Sequence, residues 1–558
     1  MTTHRSRAKL LPAVIALALA AAACGGTDDG PTAGPKSDTV EVKDGGEITY
    51  ASEKNPTNFN VLSADGNTFD TGVILNPVLP SVFSAQPDFS VKLNKNVVDS
   101  AEKTSDTPQT IVYKINQKAV WSDGVPISAD DFSYAWTTAN GKDAGYKAAS
   151  AAGFDQIKSV TGADNGKTVT VVFDTPYSDW KALFAPMLPA HFMKTLGEPH
   201  KAYNEGLTGD KIKAISGGPY QVTTYESNKQ VVLTRNPKWW GTPAHLDKVT
   251  FRILTDATVE PQALKNKEIQ VMYPQPQIDL VQQVKAIPGA VSNIGFGPVF
   301  EHFDFNLKTP ALKDLALRKA LFTAVDREQI VNATVKQFSD KAEVLNNRML
   351  VKGQSGYQDN VTSEGLGAGN IEAAKKILTD AGYTVGTTLK DKAGKAVPTL
   401  RMRYGEGNAI RQQECELFQA SAAKLGVTVK IESTNDLGGT LEGRDFDVIV
   451  FAWVGTPFPN SANGPLYITD GGSNYPGYSN PEVDAALKGA AAELDEGKAR
   501  EGLNKADLQL TKDAVTLPLY QKPTFLAYLD IYGNIRDNAT SVGPTYNIDE
   551  WGLKKSAS

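Results

Sequence analysis

The chain has 558 residues, 41% hydrophobic and 22% charged, a balance that supports globular domains with sizeable cores and excludes an intrinsically disordered protein. A formal net charge of −6 argues against a non-specific nucleic-acid binder or a polybasic membrane-surface protein. Two cysteines are too few for a disulfide-stapled scaffold.

His4, Arg5, Arg7 and Lys9 precede an apolar run from Leu10 to Ala23, and no acid occurs before Asp28. A basic start, a short apolar stretch and small residues at its end describe a secretory signal peptide over residues 1–23. The run falls short of the about 20 apolar residues a membrane span requires. Ala21-Ala22-Ala23-Cys24 resembles a bacterial lipoprotein cleavage box, with Ala21 where Leu is usual. The resemblance implies that Cys24 becomes a lipidated first residue, anchored by acyl chains to the outer face of the cytoplasmic membrane. The alternative is an ordinary signal peptide with an incidental cysteine. Cleavage removes three cations and moves the net charge from −6 to −9. With Cys24 lipidated, Cys415 has no partner for an internal disulfide. Residues 24–44, rich in Gly, Asp, Thr, Pro and Lys, read as a flexible tether.

Glu47 to Ala51 reads as the first strand, and Thr110 to Ile115 as another with Ile111, Tyr113 and Ile115 on one face. Ser128 is placed to cap a helix, with Asp131 returning the bond to the cap's own amide. Asp164-Asn165-Gly166 signals a turn leading into a strand from Val169 to Phe173. Asn370 opens a helix with Ala374, Ile377, Leu378 and Ala381 on its apolar face, closed by Gly382. Cys415, Phe418, Ala422 and Leu425 recur at helical spacing before Gly426, and Val427, Val429 and Ile431 then alternate. Phe446 to Phe451 reads as a buried strand, so residues 370–455 form an α/β layer. Asn480-Pro481-Glu482 sets a cap, a fixed φ and a negative charge at a further helix start.

Catalytic motifs are missing. After cleavage four histidines remain, His191, His200, His245 and His302, without ligand spacing, and there is no H-E-x-x-H, C-x-x-C or G-x-S-x-G. Gly405-Glu406-Gly407-Asn408 lacks the third glycine of a dinucleotide loop and does not open a convincing helix. Ser421-Ala422-Ala423-Lys424 has the Ser-x-x-Lys spacing of β-lactamases, but no Lys-Thr-Gly follows and Ser421 is helical by pattern. No enzyme activity, metal or cofactor is expected.

Five segments, in order, carry a resemblance. They are Trp121-Ser122-Asp123-Gly124-Val125-Pro126 through Phe132; Gly217-Gly218-Pro219-Tyr220 with Leu233-Thr234-Arg235-Asn236-Pro237-Lys238-Trp239-Trp240; Phe305-Asn306 with Leu317 to Leu321 and Val325-Asp326-Arg327; Phe446-Asp447-Val448 leading to Trp453; and Leu517-Pro518-Leu519-Tyr520. Together they resemble family 5 of the extracytoplasmic solute-binding proteins, which feed peptide and nickel ABC importers. The resemblance implies an α/β fold with mixed sheets: a two-lobed periplasmic-binding-protein clamp of type II with an additional domain. Lobe I would comprise residues 45–62, 185–300 and 518–558, the additional domain 63–184, and lobe II 301–517. The chain would cross between lobes near Glu301–Asn306 and Thr516–Lys522.

The same resemblance implies a ligand cleft between the lobes. Peptide-binding relatives offer backbone bonds after the first strand, which corresponds here to Ser52 and Glu53, the latter also able to face a ligand cation. Trp453 follows the buried strand where the family places cleft residues, and its ring either stacks on a ligand or fills the lobe core, with Gly455 and Thr456 in the loop beyond. Tyr404 and Asn408 are further candidates. Tyr520 lies on the second crossover and either faces the cleft or packs the hinge. Peptide binders of the family place an aspartate three residues after this tryptophan, for the peptide's ammonium, and some carry an arginine before it. Here those positions are Thr456 and Val450, so capture of free peptide termini by these two positions is not supported. The expected function is an exported, lipid-anchored, monomeric binding protein that takes peptides or peptide-like solutes and delivers them to ABC permease subunits with cytoplasmic ATPases. Alternatives are the same clamp with a metal chelate or sugar, a surface sensor, and a secreted hydrolase.

Overall fold

The computed structural model describes residues 39–555, and within it ten strands hydrogen-bond into one sheet. In chain order these strands are β1 (Glu47–Ser52), β2 (Tyr220–Glu226), β3 (Gln230–Arg235), β4 (Lys248–Ile253), β5 (Val271–Met272), β6 (Ala290–Phe305), β7 (Leu400–Gly405), β8 (Val429–Thr434), β9 (Val448–Val454) and β10 (Thr516–Leu529). Their order across the sheet is β8-β7-β9-β6-β10-β5-β1-β4-β3-β2. Parallel pairs (β1 with β4 and β5, β7 with β8 and β9) flank two long antiparallel strands, β6 and β10.

β6 and β10 join the two halves of this sheet. Ala290 to Phe296 pairs with Leu529 to Pro523, and the ladder resumes at Phe300 opposite Gln521 after an irregularity. Gly297-Pro298 lies at the break, where proline has no N–H to give to a ladder. A second shift falls between Glu301 and His302, and from Val299 onward β6 also pairs with β9. The crossover thus begins before Glu301, at the Gly297-Pro298 interruption.

An insertion after β1 carries its own four-stranded antiparallel sheet, with strands Val98–Asp106, Gln109–Ile115, Thr168–Phe173 and Ile157–Ala163 in that spatial order. Ile111, Tyr113, Ile115, Val169, Val171 and Phe173 are all buried, the period of two placing them under helix Ala129–Ala139. That helix has the expected capping box between Ser128 and Asp131. Asp131 also accepts from the Trp121 indole at 3.2 Å and from the Ala190 amide at 2.8 Å, so the tryptophan segment is tied to the helix it precedes. Asp164, Asn165 and Gly166 all take positive φ at the expected turn.

Helices Ile371–Asp380, Ala409–Ala423 and Pro481–Ala492 start at Asn370, Asn408 and Asn480, each accepting a backbone N–H of its first turn. The helix at Asn408 corrects the reading of Gly405 to Asn408 as a loop without a helix. Cys415 is buried on its apolar face, and burial raises its thiol pKa. Ser421 spends its hydroxyl on the Leu417 carbonyl at 3.0 Å, a structural role. A second core, from Leu350, Tyr467, Val483, Leu487, Leu503 and Leu510 among others, lies between helices Pro481–Ala492 and Glu496–Lys512. At the N-terminal end Val42–Lys43 pairs with Gly552–Lys554, so the tether expected through residue 44 gives way to ordered chain by Val42. Cys24 and the signal segment lie outside the described residues.

Candidate ligand-binding cleft

β1 ends at Ser52 and the chain turns into helix Phe69–Leu75, capped by Thr68. This places Glu53, Phe69 and Asp70 on one wall of a cavity of about 1440 Å³. The volume exceeds the roughly 300–1,000 Å³ of a drug-sized site. Tyr273 shares that wall, its ring stacked on Phe69 at 5.9 Å and its hydroxyl donating to Asp537 at 2.7 Å. The opposite wall is the end of β9 and its loop: Ala452, Val454, Thr456, Pro457 and Phe458. Val299, Lys522, Pro523 and Thr524 come from β6 and β10, so the joining strands border the cavity between its walls. Phe69 is 43% exposed and Val454 71% exposed, two large apolar side chains facing the same space.

Beside the joining strands lies a buried charged cluster. Arg411 donates to Glu301 through Nε at 2.7 Å and through a guanidinium NH₂ at 3.4 Å, and Lys522 Nζ stands 3.8 Å from the same carboxylate. Tyr520 donates to Glu414 Oε1, while Glu414 Oε2 has no partner. Burial, reinforced by the neighbouring Glu301, pushes the Glu414 carboxyl well above its ordinary range.

The walls also meet outside the cavity. Asp179 of the insertion accepts from the Ser461 amide at 2.7 Å and the Ser461 hydroxyl at 2.8 Å. Asn460 donates to Ser178 Oγ at 2.6 Å, and the Ser178 amide to the Ala491 carbonyl at 2.9 Å. Burial raises the Asp179 carboxyl pKa, opposed by the Ser461 hydrogen bonds and by Arg500.

Residues 92–475 match the family model for bacterial extracellular solute-binding proteins, family 5. The chain belongs to this family. The oligopeptide-binding protein OppA of Mycobacterium tuberculosis is 32% identical over 557 residues, covering 96% of this chain and 92% of OppA. Among solved structures, the periplasmic EDTA-binding protein EppA is 35% identical with a TM-score of 0.88, over 93% of this chain and 98% of its own. The Bacillus subtilis oligopeptide-binding protein AppA, solved with a nonapeptide, shares the fold at a TM-score of 0.73 and 21% identity, over 92% of this chain and all of its own (100%). The fold is the two-lobed clamp of family 5 solute-binding proteins, built on mixed α/β sheets.

Within this solute-binding protein, the residues singled out from sequence divide. Glu53 and Thr456 line the cavity on opposite walls. Ser52 is buried beneath, its hydroxyl donating to Asp70 Oδ1 at 2.9 Å. Gly455 lies against the joining strand: its amide donates to the Pro298 carbonyl at 3.0 Å, and a Cβ there would stand 2.3 Å from that oxygen. Trp453 does not line the cavity. Alternation along β9 turns Ala452 and Val454 toward it and Phe451 and Trp453 away, so the indole stacks between His302 at 6.0 Å and Tyr475 at 5.7 Å. Tyr404 lies within β7, donating to Gln412 at 3.3 Å, and Asn408 is spent on the Arg411 amide; neither borders the cavity. Tyr520 is buried in the charged cluster, the hinge-packing alternative. Sequence reading missed Phe69, Asp70, Tyr273, Val454 and Lys522, which reach the cleft from four separate segments. Asp70 stands in the first turn of a capped helix, a place where the helix dipole alone accounts for an acid.

Proposed function

We propose that this chain is the substrate-binding lipoprotein of an ABC importer, capturing peptides or peptide-like solutes between its lobes and handing them to a membrane permease driven by cytoplasmic ATPases. The observation carrying this reading is the large cavity bordered by both halves of the sheet and by the two strands that join them, with exposed Phe69 and Val454 on opposite walls. The likeness to OppA, 32% identical over nearly the whole chain, supports peptides as cargo. Lobe I would be residues 45–62, 185–300 and 518–558, the additional domain 63–184 and lobe II 301–517, hinging where the β6–β10 ladder breaks. A ligand touching both walls stabilises the closed form by its differential affinity, and no bond in it is made or broken. The monomer would be held by lipidated Cys24 at the outer face of the cytoplasmic membrane. Among the described residues no helix is long and apolar enough to cross a membrane.

A metal–chelate cargo is the second reading. EppA, 35% identical, is an EDTA-binding protein, and Lys92, Lys95, Lys181 and Lys522 border the cavity here. Native mass spectrometry of protein purified from its own host, followed by calorimetric titration with the species found, separates the two. A co-purified peptide that rebinds supports the first reading; a metal complex supports the second and overturns the first.

A further inference from the structure

Within the insertion, Phe83–Ala85 and Val91–Leu93 form a two-stranded hairpin sheet of their own. Two strands of that length are marginal alone in water, so contacts outside the pair must hold them. At the base, Phe83 packs edge-on against Trp180 at 5.6 Å, and Asn538 donates to the Ala85 carbonyl at 3.0 Å. Asn538 belongs to the chain beyond β10, and its neighbour Asp537 is held by Tyr273 and Thr524. Ser84, Ala85, Gln86, Lys92 and Leu93 border the cavity, which makes the hairpin one of the cleft's walls.

At the hairpin's tip Phe89 has a φ of 63°, in the left-handed region that a bulky residue rarely adopts. Its turn enforces that conformation. The Phe89 amide donates to the Gln86 carbonyl at 3.0 Å and the Gln86 amide to the Ser90 carbonyl at 2.8 Å, while the Ser90 amide and hydroxyl both reach Asp88 Oδ1. Glycine would take this φ without strain, so an aromatic ring here implies a gain elsewhere that offsets it. The gain is a socket outside the hairpin. Phe89 packs against buried Phe300, Leu345 and Val351, and a Cβ at Gly353 would stand 3.0 Å from its ring.

That socket sits on the joint between the two halves of the large sheet. Phe300 is where the β6–β10 ladder resumes after Gly297-Pro298, and the Leu345 amide donates to the Leu519 carbonyl of β10 at 2.9 Å. The hairpin therefore has its base on one side of the interruption and its tip on the other. Phe89 remains half-buried, so its ring can leave the socket without dismantling a core.

We propose that hairpin Phe83–Leu93 is a strap over the cleft, fastened by Phe89 in its socket, and that cargo enters and leaves when the ring is out. This rests on the reading of the cleft as the cargo site and adds the step that gates it.

The test compares the full wild-type chain with Phe89→Gly, which keeps the turn, relieves its strain and removes the ring; Phe89→Tyr is the control that retains the ring. In hydrogen exchange without cargo, Phe89→Gly is expected to exchange at least about tenfold faster in residues 83–93 and 345–354, with the rest of the chain and Tm unchanged. Phe89→Tyr should match wild type. Faster exchange across the whole chain would make the ring a core residue, and unaltered exchange in either segment would leave the contact idle; each result overturns the strap. In stopped-flow binding of a fluorescein-labelled nonapeptide, Phe89→Gly is expected to speed association and dissociation alike by at least about tenfold, with Kd nearly unchanged. Unchanged rates, or faster dissociation alone, overturn the gate. A nonapeptide that wild type does not bind counts against the peptide reading and not against the strap, which the exchange result then decides.

Discussion

Trp453 shows how much can turn on one step along a strand. The burial of β9 was readable from Phe446 to Phe451, an apolar run leading into the loop. Which parity faces ligand was not, because that is fixed by the register of β9 against β6, where Phe300 lies opposite Trp453. The indole fills space between His302, Phe451 and Tyr475, while exposed Val454 reaches the cavity. Trp453→Ala is therefore expected to cost about 2–4 kcal/mol of folding stability, as truncation of a packed aromatic does. Val454→Asp should change ligand affinity with stability altered by no more than about 0.5 kcal/mol. Denaturant unfolding and calorimetric titration of both variants check this; a stable Trp453→Ala with lost binding would return the indole to the cleft. The same logic explains Glu53. Its place in the loop after β1 was legible, but its acidic company arrives from Asp70 and Glu260, the latter more than 200 positions along the chain.

At the scale of elements, local chemistry was legible and long-range pairing was not. Asn370, Asn480 and the Ser128–Asp131 box cap the helices they announce, since a cap and its amides lie within four residues. The helix through Cys415, Phe418 and Ala422 was legible, but its start at Asn408 escaped notice because Gly405-Glu406-Gly407 reads as loop until the Arg411 amide is seen to bond back. β6 and β10 were harder still, as Gly295, Gly297 and Pro298 in one and Pro518 and Pro523 in the other break the strand pattern inside 16- and 14-residue strands. Between these strands and helix Ala409–Ala423 sits Glu301, buried and held by Arg411. Arg411→Ala leaves that carboxylate without its main partner and is expected to cost about 3–5 kcal/mol. Adding Glu301→Gln to Arg411→Met should recover most of the loss, since an amide beside an apolar side chain carries no unpaired charge. Chemical denaturation of the single and double variants measures both, and a double variant no better than Arg411→Ala would show that the ion pair is not what holds this corner.

The whole molecule can be a clamp only if its two arrangements differ in bonds made across the mouth. Such bonds are on hand between Asp179 and Ser461, between Ser178 and Asn460, and between Ser178 and Ala491. Partners 282 positions apart in sequence leave no local trace, so this contact was invisible before the fold was known. Asp179 is the central acceptor. It is buried by the contact, takes two hydrogen bonds from Ser461, and would be rehydrated if the walls separated. Hydrogen bonds to a charged group contribute about 1.5–3 kcal/mol each, so losing them shifts an open–closed equilibrium by tenfold or more. Asp179→Ala is thus expected to enlarge the radius of gyration of the ligand-free protein in solution scattering. It should also weaken cargo binding by at least about tenfold, because affinity falls with the fraction of molecules already closed. Saturating cargo should restore the compact form, since ligand contacts to both walls add to closure independently of Asp179. A variant with unchanged scattering and unchanged affinity would mean that the Asp179–Ser461 contact is incidental and that closure is governed at the Gly297-Pro298 interruption alone.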